Sequence, residues 1–464
     1  MSVNAQDWST RRCPYPVTVR LPLAAANDSH VHRRRYVSVG WKFTLAFAVS
    51  LAWASFAYLL SSQWTAALAT PAQRLLAHGL VLGIAVLPAF MNTFLAVGLL
   101  LDRRPERSRF ADDDFPAVTL LIAAHNAQDT LLDTLASIAA QRYPAPMQVV
   151  VINDGSTDGT LQRLRNLDHP WLEVLDLACP GGKAKALNAG LRFAAHALTV
   201  TLDADAHLHP LALRQLVTRY MSEPPNTAAV AGAVLVRNSR ENLVTRMQEW
   251  DYFHGISATR RVQSLCQGTL VAPGAFSLYR TDILRVVGGW TECAGEDIVL
   301  TWALLRDHHR VGYAEDAIAF VRVPSSLAHF MQQRRRWARG TVEAFKAHGP
   351  LLFRCRLSTF FIGWSLLFPY VDLIYSVALI PAVLLACTGV YWLAGSALAF
   401  ALPTALLANA VIHAVQSRMF RALGLGVRRN PIGLLGYALI YGPLIKCANV
   451  MGYLSSIVAR RERA

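Results

Sequence analysis

Charged side chains make up only 16% of the 464 residues, against 53% hydrophobic, and the mean hydropathy is +0.30. Soluble domains carry roughly 25% charge, so this balance points to a membrane protein with a soluble part. Acidic residues are in shorter supply than basic ones, 30 against 45, leaving a formal charge of +15. Such an excess suits nucleic acid, but no RNA-binding aromatic pattern and no zinc-finger spacing accompany it. The basic runs instead flank apolar segments, where cytoplasmic ends of spans and anionic lipid attract them. The seven cysteines include no C-x-x-C pair, which excludes a zinc site or disulfide frame and leaves reduced, structural thiols. The first long apolar run starts far from residue 1, so no cleavable signal peptide is expected.

The chain is too long for one ordinary domain, and its texture divides it into five parts. Residues 1–40 read as a cytoplasmic tail, with His32-Arg33-Arg34-Arg35 just before the first span. Residues 41–101 form a transmembrane hairpin from Trp41–Leu60 and His78–Leu101, followed by the basic stretch Asp102–Arg109. Residues 110–345 alternate short apolar runs with helical patterns and form a cytoplasmic domain. Residues 346–457 comprise an interfacial helix and about three spans, and 458–464 are a tail. Five spans in all place Arg460-Arg461-Glu462-Arg463 outside, against the positive-inside tendency. Either the tail tolerates this, or one apolar segment is re-entrant.

Within the cytoplasmic domain, strands are expected at Ala117–Ala124, Gln148–Ile152, Leu172–Asp176 and the run ending in Leu202, with helices at Asp129–Ala140, Gly159–Leu167 and Lys183–Ala195. This is the rhythm of a predominantly parallel sheet covered by helices. Its centre is Asp203-Ala204-Asp205, two carboxylates where a buried strand breaks off, at the carboxyl edge where open α/β sheets place ligands. Such a pair is either turn chemistry or a site for a divalent cation and the phosphates or ribose of a nucleotide.

The neighbouring motifs favour the second reading. Asp154 ends a buried strand, where a carboxylate can accept the imide hydrogen of uracil or bind ribose, while Ser156 and Asp158 suit a strand-to-helix turn. Lys183, after Gly181-Gly182, can offset phosphate charge, or is a surface lysine. Mg²⁺ or Mn²⁺ held by Asp205, with Asp203 completing its surroundings, would stabilise charge developing on a diphosphate leaving group. Glu296-Asp297 supplies a base not committed to metal: Asp297 to take a hydroxyl proton and Glu296 to orient it. The alternative makes both first-turn helix carboxylates. On the expected helix Phe330–Phe345, Arg336 can neutralise diphosphate, Gln333 can bind phosphate or an acceptor hydroxyl, and Trp337 offers a flat face to a sugar ring. Arg334, Arg335 and Arg339 read equally well as a lipid-facing basic patch.

The ordered set His125-Asn126, Asn153–Asp158, Gly182-Lys183-Ala184, Asp203-Ala204-Asp205, Gly295-Glu296-Asp297 and Gln333–Trp337 resembles the family 2 processive membrane glycosyltransferases, over roughly residues 80–455. The size and span count look most like the poly-β-1,6-N-acetylglucosamine synthase subfamily; the alternatives are a hyaluronan, chitin-oligomer or β-glucan synthase, a single-addition glycolipid transferase, or a non-catalytic nucleotide-sensing or sugar-binding membrane protein. The resemblance implies an α/β GT-A type cytoplasmic domain, a Rossmann-like mixed sheet, joined to an α-helical transmembrane domain in the bacterial inner membrane. It implies UDP-N-acetylglucosamine as donor, Mg²⁺ or Mn²⁺, a growing polysaccharide as acceptor and product, contact with membrane lipids, a small membrane accessory subunit and no nucleic acid. Carried over by motif, nucleotide binding falls on Asp154, metal and diphosphate on Asp203 and Asp205, the base on Asp297, and the acceptor–diphosphate site on Gln333, Arg336 and Trp337. Two departures stand out: Gly295 where the family has threonine, and His125-Asn126-Ala127 where it has Tyr-Asn-Glu.

Overall fold

A computed structural model of the chain describes residues 3–4, 37–66, 70–102, 109–386, 388–389, 395–422 and 429–461. The basic cluster at 32–35, most of the basic stretch at 103–108, and Arg428, Cys13 and Cys387 lie outside them. Two long helices come first, α1 (Val39–Ala66) and α2 (Pro71–Leu101), and the sheet domain follows.

That domain is built on a mixed sheet. Its strands are β1 (Val3–Asn4), β2 (Val118–Ala124), β3 (Met147–Asp154), β4 (Leu172–Leu177), β5 (Leu198–Leu202), β6 (His207–Leu208), β7 (Thr227–Val236), β8 (Phe276–Arg280) and β9 (Arg310–Val321). They run in the order β1-β4-β3-β2-β5-β8-β7-β9-β6. The β4-β3-β2-β5 half is parallel; β8 is antiparallel to both β5 and β7, and β9 returns parallel to β7. The expected predominantly parallel sheet is thus interrupted by the reversed β8, with the short β6 antiparallel at its edge. The reversed strand β8 lies in a glycine-bearing segment whose sequence gives no strand period.

Period-2 alternation decides which residue faces which layer. Leu120, Ile122, Val149, Val151, Val200 and Leu202 face one side, against Leu131, Leu135 and Ile138 of α3 (Leu131–Ala139) and Leu213 and Leu216 of α6 (Ala212–Met221). Leu121, Val150 and Ile152 face the other, against Ala186, Leu187 and Leu191 of α5 (Lys183–Leu191), itself preceded by α4 (Thr160–Arg165). Each such side chain, fully buried, contributes about 1.5–3 kcal/mol. This rigid parallel half fixes where the carboxyl ends of β3 and β5 emerge. Helix α5 ends at Leu191, short of the expected Ala195, where Phe193 N–H bonds the Gly190 carbonyl and the chain turns.

The second half of the domain meets the membrane-facing helices. Helix α7 (Leu243–Trp250) runs through a π-helical turn, Asp251–Ile256, into α8 (Ser257–Leu265). Helix α9 (Thr281–Val286) leads to α10 (Glu296–Arg306), and α11 (Leu327–His348) carries Gln333–Trp337. The remaining helices are α12 (Leu357–Leu385, with a break after Ser365), α13 (Gly395–Ala422) and α14 (Pro431–Ser456). Among the described residues, α1, α2, α12 and α14 are long and apolar enough to cross a membrane. The protein is accordingly membrane-associated, with a multi-pass set of apolar helices. An aromatic cluster locks the hairpin to α12: Phe43 and Phe94 lie 4.9 and 5.2 Å from Phe360, and Phe94 lies 5.5 Å from Trp364. Asp102, at the end of α2, pairs with Arg261 of α8. The five described cysteines are all free.

Candidate active site

The carboxyl ends of β3 and β5 and the N-termini of α5 and α10 converge on one polar cleft. Lys183, at the start of α5, joins its parts: its Nζ lies 2.5 Å from Asp203 Oδ1 and 3.8 Å from Glu296 Oε1. Burial works against the lysine's charge, but Asp203, Glu296 and Asp297 together carry its pKa up to about 12. Lys183 is thus no surface lysine. Gly274 leaves room for it: a Cβ there would sit 2.6 Å from the ammonium nitrogen.

Asp203 is ion-paired to this lysine, whereas Asp205 accepts only from its own backbone amide and feels Lys183 and Arg322 at longer range. Burial, then the negative charge of Asp203, push Asp205 up to about 6. A half-buried carboxylate short of positive charge fits a divalent cation. No group of three or more His, Cys, Asp and Glu side chains among the described residues is placed to hold one. Two carboxylates that leave the remaining positions to substrate phosphates and water match the usual Mg²⁺ donor set.

Asp154 is buried at the end of β3, and both its oxygens are engaged, accepting from the Gly181 amide at 2.7 Å and the Gly182 amide at 2.8 Å. It therefore anchors the turn that presents Lys183, and a base or ribose reaching it meets that turn. Asp158 accepts from the Thr160 amide and the Gln128 amide, the strand-to-helix turn chemistry open to it from sequence. His125-Asn126 has a local use. His125 Nδ1 lies 2.7 Å from the Asp154 carbonyl, and Asn126, left-handed at φ 50°, accepts the Thr157 amide at 2.9 Å.

Asp297 and Glu296 open α10. Asp297 Oδ1 accepts the Ile298 amide at 2.8 Å, and Glu296 is buried. Burial and the neighbouring Asp297 raise the pKa of Glu296, with Lys183 and Arg336 opposing. Backbone contact ties this helix start to α11. A Cβ on Gly295 would stand 2.5 Å from Gly340 Cα, and the Ala294 amide donates to Glu343 at 2.8 Å. The glycine in place of the family's threonine is thus a packing requirement, matched by Gly340.

On α11, Arg336 is exposed within electrostatic reach of Glu296, Trp337 is 36% exposed, and Gln333 Oε1 is buried without a hydrogen-bond partner. Arg334 departs from the lipid-facing reading: it is buried and ion-paired to Asp251. Two residues of the cleft escape sequence reasoning. Arg260 of α8, half-buried, lies within electrostatic reach of Tyr313 and Asp297 and is pushed down by burial; Tyr252, raised to about 12 by burial, lies within electrostatic reach of Arg334, Asp251 and Asp205. Both sit on a helix with no motif around them.

The mixed sheet and the long apolar helices beside it make a GT-A-like fold. Residues 116–340 match the family described as Glycosyltransferase like family 2. Among curated relatives, the poly-β-1,6-N-acetyl-D-glucosamine synthase of Staphylococcus aureus is 29% identical over 266 residues, covering 54% of this chain and 63% of that protein. The synthase of the same name from Staphylococcus epidermidis is 30% identical over 264 residues with the same coverage. The match thus spans less than two thirds of these relatives' length. In fold, the chain is similar to a mannosyltransferase from Pyrobaculum calidifontis solved with GDP-Man and Mn²⁺. The TM-score is 0.50 at 18% identity, covering 80% of this chain and 94% of that one.

Proposed function

We propose that this protein is an inverting, processive glycosyltransferase that takes N-acetylglucosamine from UDP-N-acetylglucosamine to the non-reducing end of a β-1,6-linked polysaccharide and passes the product across the membrane. One observation carries the enzymatic part: Lys183 binds Asp203 and reaches Glu296, gathering donor-side and base-side carboxylates in one cleft. The sugar and linkage rest on similarity to the staphylococcal synthases. Divalent-cation dependence is supported by Asp205, whose burial and neighbour Asp203 outweigh the attraction of Lys183 and Arg322, and by the Mn²⁺ and GDP-Man of the structural relative.

In this reading Asp205 and Asp203 hold Mg²⁺ or Mn²⁺, which when bound supplies Lewis-acid stabilisation of the diphosphate. Lys183 and Arg336 add positive charge on the leaving-group side. Asp154 fixes the Gly181-Gly182 turn so that Lys183 enters the cleft, and contacts the nucleoside at the turn's edge. Asp297 accepts the proton of the attacking acceptor hydroxyl, Glu296 holds it in place, and in-line attack inverts the anomeric carbon. Gln333 and Trp337 hold the acceptor sugar. Membrane lipids surround the apolar helices, and a small membrane accessory subunit, expected from the subfamily, would complete the assembly.

The test is UDP release by reconstituted protein across a panel of UDP-sugars with Mg²⁺ or Mn²⁺, with the carbohydrate product sized and its linkage determined. Turnover of UDP-N-acetylglucosamine into a long β-1,6 polymer supports the proposal. A single-addition glycolipid, or turnover of another donor only, contradicts it.

A further inference from the structure

Arg334 stands inside the Gln333–Trp337 stretch, yet nothing in the chemistry above uses it. It is only 4% exposed. Its Nη1 lies 3.0 Å from Asp251 Oδ2, its Nη2 donates to the Tyr441 hydroxyl at 2.9 Å, and that hydroxyl donates to Asp251 Oδ2 at 2.9 Å. The guanidinium carbon is 4.2 Å from the centroid of the Trp337 ring. The cation thus lies over one face of an indole that is itself 36% exposed. Asp251 opens the π-helical turn, and Gly255 makes room for it, since a Cβ there would stand 2.7 Å from Asp251 Oδ1.

A buried ion pair is a poor source of stability, because desolvation offsets most of the attraction. What this one does supply is orientation. An exposed tryptophan on a helix surface has several rotamers open to it, and stacking on a sugar ring requires one. We propose that Arg334, held by Asp251 and Tyr441, is a positioning residue that fixes the Trp337 indole plane, so that its free face receives the terminal sugar of the acceptor. The inference rests on the acceptor role given to Trp337 above. It needs arginine in particular: a planar guanidinium stacks on the indole while its edge serves Asp251 and Tyr441, and an ammonium does not.

The discriminating variant is therefore Arg334→Lys, which keeps the charge and loses the stacked plane. With a β-1,6-linked N-acetylglucosamine oligomer of defined length as acceptor, its KM is expected to rise by about tenfold and the product to shorten, while affinity for UDP, measured by titration, stays at the wild-type value. In a Trp337→Ala background the same change is expected to add nothing, because the two residues act as one unit. Tyr441→Phe, which removes only a hydroxyl, is expected to move acceptor KM in the same direction by a smaller factor; it decides the matter if Arg334→Lys does not fold. Wild-type acceptor KM and product length in Arg334→Lys, or an undiminished effect without Trp337, would overturn the inference. If Trp337→Ala itself leaves acceptor KM untouched, the acceptor role of Trp337 fails first, and this inference with it.

Discussion

Two residues show how the cleft is set by what its neighbours cannot accommodate. Gly295 precedes the proposed base, and its Cα side is closed by the backbone of Gly340. Gly295→Thr, which writes the family's usual residue into this chain, is expected to push α10 from α11 and displace Asp297 from the acceptor side. Overpacking of this kind costs about 1–3 kcal/mol. The expected result is a lower melting temperature together with at least a tenfold fall in kcat, since small misplacements of a base are costly. Wild-type values for both would show that the two helices are free to separate. Asp205 gives a pH prediction. Its pKa in the metal-free fold is raised to about 6 from an ordinary 3.8, so the fold binds that proton more tightly than the unfolded chain does. The associated stability is present below about pH 4 and lost as pH rises through about 6. Mn²⁺ needs the ionised form, so Mn²⁺-induced stabilisation is expected at pH 7.5, to weaken below pH 6, and to be absent in Asp205→Asn. Equal stabilisation at pH 5 and 7.5 would remove Asp205 from the cation site.

At the scale of the element, α14 carries the clearest test. It is long and apolar enough to cross a membrane, but its packing argues for another course. Asn430, just before it, accepts from Trp250 of α7; Tyr441 meets Arg334, Gly452 lies against the Arg335 carbonyl, and the Ser456 carbonyl accepts from Lys346. It therefore runs beside α11, whose arginines forbid burial in hydrocarbon, along most of its own length. An interfacial α14, with Ile432, Leu435, Leu439 and Leu454 exposed towards lipid, is expected. A thiol-reactive probe should reach a cysteine placed after Arg461 from the cytoplasmic side; labelling from the opposite side only would mean that α14 spans.

The same scale explains what was legible beforehand. β2, β3 and β5 announce themselves because strands covered on both faces are apolar throughout. β8 does not, because Gly268, Pro273 and Gly274 dominate its approach, serving a close contact with Ser358 and room for Lys183. Asp203, Asp205, Glu296 and Asp297 were readable as carboxylates at strand and helix ends. That Asp154 is spent on two loop amides, and that Arg334 turns inward to Asp251, depends on partners distant in sequence, which no local pattern encodes.

For the whole molecule, the sheet domain and the apolar helices are tied together because the cleft is assembled at their junction. Helix α10 is bound to α11 through Gly295, Gly340 and Glu343, α11 is bound to α14 through Arg334 and Lys346, and the hairpin is held by Asp102 to Arg261. A sheet domain cut off after α11 would leave apolar helix faces uncovered. Its transfer activity is expected to fall to background, measured as UDP release beside the full chain; retained activity would show that the membrane helices serve only export. The central claim, that this cleft transfers a sugar with Asp297 as base, is tested most directly by Asp297→Asn in reconstituted membranes, with UDP-N-acetylglucosamine turnover and UDP affinity measured on the same preparation. The account predicts turnover reduced by a factor of about 10² or more, with UDP affinity close to wild type. Turnover that survives the substitution would contradict it.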